Sequence, residues 1–153
     1  MKYFKLSQDH RIPYGVTLKG LDRIAGYYEA KKGDLYGLNN HITLWVSSSP
    51  LNYYPDILDS HIFMIKDVLK SVFDLFLPHP RYKKCFLFDK KTEEFELYHI
   101  PFLDIVEKDA GMAQGLHIFR IAESKEIQIA ASLEVIEAVL RRRPTGVRCI
   151  PIE

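Results

Sequence analysis

The chain has 153 residues, 47% of them apolar and 27% charged, and its 21 basic and 20 acidic side chains leave a formal net charge of +1. That length suits one domain with its own core, and that composition excludes a largely disordered chain. The balanced charge excludes a general electrostatic pull toward nucleic acid or an anionic membrane, so a partner has to be recognised by local shape.

The opening run through Leu6 reads as a strand, with Tyr3, Phe4 and Leu6 as strand formers and Ser7, Gln8 and Asp9 ending it. Pro13 and Gly15 punctuate the next stretch, and Leu18, Leu21, Ile24 and Ala25 form a short helical stripe ending near Gly26. A charged turn follows at Lys31 to Asp34. Residues 41–46 alternate Ile42, Leu44 and Val46 on one face with His41, Thr43 and Trp45 on the other, which predicts a strand. Leu51 to Ser60, interrupted by Pro55, reads as a loop or a poor helix, and Ile62 to Ile65 as a short apolar run.

Ile65, Val68, Leu69, Val72, Phe73 and Phe76 recur at steps of three and four and predict a helix over 67–77 that Pro78 and Pro80 end. Tyr82 to Phe88 and Glu94 to Ile100 predict a β-hairpin around a polar turn. Pro101 to Val106 reads as an edge or extension of it, and Glu107 to Gly115 as a loop. Leu116 to Ile121 and Ile127 to Ala131 predict a second hairpin. Ser132 then caps a helix with Glu134 in its first turn, an apolar stripe of Leu133, Ile136, Val139 and Leu140, and Arg141 to Arg143 at its end. Pro144 and Gly146 release the chain into a last strand over 147–152. The expected fold is α+β: a single domain over 1–153, mainly antiparallel strands and hairpins with two principal helices packed on the sheet.

Six histidines lie about twenty residues or more apart, so none has the i, i+3 or i, i+4 spacing of a helical metal site. Cys85 and Cys149 sit in alternating apolar runs and read as buried thiols, not as a disulfide framework or nucleophiles. No phosphate-cradling glycine motif is present, so no cofactor, metal or catalytic residue is expected. Two non-structural signals remain. Arg141, Arg142 and Arg143 either terminate their helix or grip an anionic ligand. Seven of nine tyrosines fall in the first 54 residues, and Tyr27, Tyr28, Tyr36, Trp45, Tyr53 and Tyr54 either bind a protein partner or cover a core edge. The amino terminus shows no leader, and no stretch approaches the roughly 18 apolar residues of a membrane span. A cytoplasmic protein is expected.

Three segments, MKYFKL, HIFMIKDVLKSVFDLFLPHPRYKKCFLFDKKTEEFELYHIPFLD and IQIAASLEVIEAVLRRRPTGVRCIPIE, resemble a bacterial family of immunity proteins associated with polymorphic toxin systems and cover about half the chain. The closing segment, in which Ser132 precedes Glu137, Leu140, Arg141, Arg142 and then Gly146, is the most specific. The chain departs from the family pattern at Lys66 and Asp67, where a serine cap belongs, and between Gln8 and Asp59, which match nothing in it. The resemblance implies a non-enzymatic cytoplasmic protein that neutralises a cognate toxin domain by binding, with partner choice in the unmatched stretch. An enzyme or ligand-binding domain acting through the arginines, and a self-complementary oligomer, are the competing expectations.

Overall fold

The structure, a computed structural model, describes residues 2–152; the Met1 start of the first expected strand lies outside them. The strands in chain order are β1 (Tyr3–Gln8), β2 (Leu18–Lys19), β3 (His41–Val46), β4 (Ile57–Leu58), β5 (Met64–Ile65) and β6 (Tyr82–Phe88). They continue with β7 (Phe95–Pro101), β8 (Ile105–Val106), β9 (Ile118–Ile121), β10 (Ile129–Ser132) and β11 (Val147–Pro151). The helices are α1 (Tyr27–Lys31), α2 (Asp67–Phe76), α3 (Lys108–Ala113) and α4 (Leu133–Arg141).

The strands form two mixed sheets, ordered β11-β1-β10-β9-β8 and β2-β3-β6-β7-β5-β4. Named strands pair antiparallel except for β3 with β6 and β8 with β9. The chain is therefore a single α+β domain, mainly antiparallel, with α2 and α4 as its principal helices.

The closing unit β10-α4-β11 straddles β1, which pairs antiparallel with β10 on one side and β11 on the other. Its helix starts where the Ser132 hydroxyl accepts from the Val135 amide at 3.4 Å. Ser132 also meets Nδ1 of His117 at 2.8 Å, so a fully buried hydroxyl has two partners. Gly146 is required at the exit. Its φ is +71°, and a Cβ there would come within 2.7 Å of Pro55 Cβ. Beside it, the Thr145 amide donates to Asp56 Oδ2 at 2.6 Å, and the Asp9 amide donates to the Gly146 carbonyl at 2.8 Å. The loop after α4 thus ties the end of β1 to the segment entering β4.

Helices α2 and α4 share a core with both sheets. Leu6 and Ile129 from one, Ile57 and Ile65 from the other, and Leu69, Val72, Phe73, Val135, Ile136 and Val139 from the helices form one buried cluster. A second cluster lies on the opposite face of the six-stranded sheet, where Val16, Leu21, Leu35 and Leu38 pack on Leu44, Cys85, Leu87 and Tyr98. The stretch between Gln8 and Asp59 is therefore largely the layer that seals one face of that sheet. Burial pushes the Cys85 thiol up to about 12, which leaves it un-ionised at neutral pH.

Several expectations need correction. β1 continues through Ser7 and Gln8, because both sit in the ladder with β11. The short helical stripe expected to end near Gly26 is a single 3-10 turn over Leu21–Arg23, and Gly26 itself precedes α1. Residues 108–113 are helical where a loop was expected, since Gly111 lies against Phe119 and a Cβ there would meet its ring at 2.5 Å. The stripe of α4 is rotated: Val135 is buried with Ile136 and Val139, Leu133 is half-buried, and Leu140 is 58% exposed. Among the described residues no helix is long and apolar enough to cross a membrane.

Candidate functional site

The six aromatic residues singled out in the amino-terminal third do not form one surface. Tyr27 is buried, its ring 5.2 Å from that of exposed Tyr28. Tyr36 is exposed beside Phe102, at 5.4 Å, and the Arg81 guanidinium. Tyr53 is half-buried near Gly146, and its buried hydroxyl has no hydrogen-bond partner among the described residues. Tyr54 packs against the core of the six-stranded sheet. Tyr27, Tyr53 and Tyr54 thus serve mainly as packing, leaving Tyr28, Tyr36 and Trp45 as the accessible members.

Trp45 belongs to a larger feature. In β3 the alternation buries Ile42, Leu44 and Val46 and turns His41, Thr43 and Trp45 outward. The register sets these three beside Lys84, Phe86 and Phe88 of β6. It then sets Phe86 and Phe88 beside Leu97 and Phe95 of β7. The rings interlock: Trp45 lies 5.0 Å from Phe88, Phe86 6.1 Å from Phe95, and His41 6.3 Å from Phe86. Lys90 Nζ sits 4.2 Å from the centre of the Trp45 ring, a cation-π contact.

Only half of this sheet face is covered. At the β5 and β7 end, α2 closes it, with Asp67 hydrogen-bonded to buried His99, the register partner of Ile65. Toward β3 the face is more open: Phe95 is 62% and Trp45 37% exposed, and Phe86 and Phe88 are partly buried between them. Lys19, opposite Trp45 on β2, joins Lys84 and Lys90 in giving the Trp45 side of this patch a cationic border, while Phe95 at its other side shares a recess with Glu93, Glu94 and Glu96. An apolar centre with a charged border is the composition of a protein-docking surface.

The arginines at the end of α4 are all exposed. Arg141 lies 4.0 Å from Glu137, and Arg142 Nε donates to Ser71 Oγ at 3.3 Å. Arg143 turns out of the helix with φ +50°. None of the three lines any of the four principal cavities. Their geometry fits a helix terminus bonded to its own surroundings and offers no enclosed anion site.

The largest principal cavity lies elsewhere, at about 730 Å³, where β1, α1, the Asp59–His61 segment, the β9–β10 turn and β11 meet. His10 Nε2 lies 2.7 Å from Asp59 Oδ1, and Asp59 Oδ2 accepts from the Gln8 amide at 3.0 Å. His61 Nδ1 lies 3.4 Å from the Tyr27 hydroxyl, and burial with the nearby Lys31 charge lowers its pKa. Sequence reasoning missed this site because His10 and Asp59 are 49 positions apart and its cations come from separate elements. Among the described residues no group of three or more His, Cys, Asp or Glu side chains is placed to hold a metal ion. Compared with models of known protein families the chain matches none, and a comparison with curated proteins finds no match either.

Proposed function

We propose that the protein is a non-enzymatic binding protein that neutralises a cognate toxin domain by docking on it with the aromatic face of the six-stranded sheet. The observation that carries this reading is the uncovered half of that face, where Trp45, Phe86, Phe88 and Phe95 form one interlocked patch beside a half that α2 closes. A sheet that buries one face and leaves such a patch open on the other holds apolar surface for a partner. The resemblance in the closing segment names the class of partner, and on this reading the protein acts in the cytoplasm.

The rim describes the partner further. Lys19, Lys84 and Lys90 favour an apolar surface bordered by carboxylates, which would speed encounter as well as select the partner. Co-expression with the product of the neighbouring gene, expected on this reading to carry the toxin domain, is the test. The intact protein should form a complex and protect the cell, and Trp45→Ala should weaken binding by about 30-fold or more, as a central aromatic anchor does. Absence of both complex and protection with the intact protein removes the reading.

A further inference from the structure

The 730 Å³ cavity falls within the range of small-molecule sites, which run from about 300 to 1,000 Å³. Its lining is charged unlike the chain as a whole. Five Lys and Arg side chains face two carboxylates, a local excess of three positive charges with the histidines neutral, in a protein whose formal net charge is +1. The contributions come from β1 (Lys5), α1 (Lys31), the β9–β10 turn (Lys125) and β11 (Arg148), so the fold, and no single basic run, gathers them.

Of these cations only Arg11 is ion-paired among the described residues. Asp59 is only 10% exposed and is taken up by His10 and the Gln8 amide. Arg11 is occupied by Asp9, at 2.9 Å. Lys5, Lys31, Lys125 and Arg148 have no carboxylate within 4.0 Å among the described residues. His10 is held through Nε2 against Asp59. Leu6 and Ile129 border the cavity from the core, each 1% exposed, and half-buried Ile127 is its accessible apolar lining.

We propose that this cleft binds a phosphate-bearing small molecule of nucleotide size, its phosphates against Lys31, Lys125 and Arg148 and its uncharged part toward the apolar lining. With Arg11 taken by Asp9, the four remaining cations exceed Asp59 and Glu126 by two positive charges, which matches a diphosphate, whereas a monocarboxylate would leave half of that excess uncompensated. This site involves different residues from the aromatic sheet face, so either can fail without the other.

The test is calorimetric titration of the whole protein with ADP and with inorganic pyrophosphate at constant ionic strength, in the native chain and in Lys31→Ala, Lys125→Glu, Arg148→Ala and Lys84→Ala. Saturable binding is expected, weakened about tenfold by each cleft variant, the loss of one charge-assisted contact, and unchanged by Lys84→Ala on the sheet face. Thermal melts identify any variant that fails to fold, and Lys125→Glu on an exposed turn keeps the test available if Arg148→Ala does. Pyrophosphate binding without any gain from ADP would reduce the site to a phosphate cradle and overturn its nucleotide size. No binding of either probe would overturn the proposal. So would equal weakening by Lys84→Ala, or tighter binding of a polyglutamate peptide than of ADP.

Discussion

Ser132 shows how much one hydroxyl does in this chain. It is fully buried, accepts from Val135 at the start of α4, and meets His117 across the second hairpin. Ser132→Ala removes a cap and leaves His117 without that partner, so it should cost about 1–3 kcal/mol in urea unfolding. The cap was legible because serine before an apolar stripe is a local signal; the His117 contact was not, being set by strand pairing. Asp9 makes a pH-dependent prediction. Hydrogen bonds from the Arg11 guanidinium are the main reason its carboxyl sits well below the usual carboxylate range, at about 2. A depressed carboxylate stabilises the fold above its unfolded value, near 3.9, and loses that contribution as pH falls through about 2. Arg11→Ala should return Asp9 to the ordinary range by NMR titration. Its stability deficit should be complete above about pH 4 and vanish in stronger acid.

Elements were legible in proportion to their length and periodicity. α2, α4 and the β6–β7 hairpin each repeat an apolar spacing often enough to specify a face, whereas β2, β4 and β5 have two residues each and no period to read. α3 was hidden by Gly111, which breaks helices in general but here admits the Phe119 ring. The face of α4 was misassigned by one position, because Val135 turns inward and the last turn carries Leu140 beyond the core. Ile136→Ala should therefore cost about 2–5 kcal/mol, while Leu140→Ala should change stability by less than about 0.5 kcal/mol. Equal losses in urea denaturation would return Leu140 to the buried stripe. The aromatic patch was only partly visible: Trp45 stood out, but Phe86, Phe88 and Phe95 read as ordinary hairpin residues. Only the parallel pairing of β3 with β6, a contact distant in sequence, makes them one surface.

At the scale of the whole molecule, two sheets share a core under α2 and α4, and the loop at Thr145 and Gly146 fastens the end of β1 to the entry of β4. The stretch between Gln8 and Asp59, which matched no pattern, largely seals one face of the six-stranded sheet and supplies β3 to the other. Partner choice on this account does not lie in that stretch alone. It lies on a surface shared between β3 and the β6–β7 hairpin, with Tyr28 and Tyr36 outside the aromatic contacts that define it. The most direct measurement is the affinity of the purified protein for the toxin domain that the proposed function expects in the neighbouring gene, with Trp45→Ala and Phe95→Ala set beside Tyr28→Ala and Tyr36→Ala. The account predicts losses of about 30-fold or more for the sheet-face pair, with near-native binding for the other two. Native affinity in both sheet-face variants, with the loss appearing at Tyr28 or Tyr36, would contradict it.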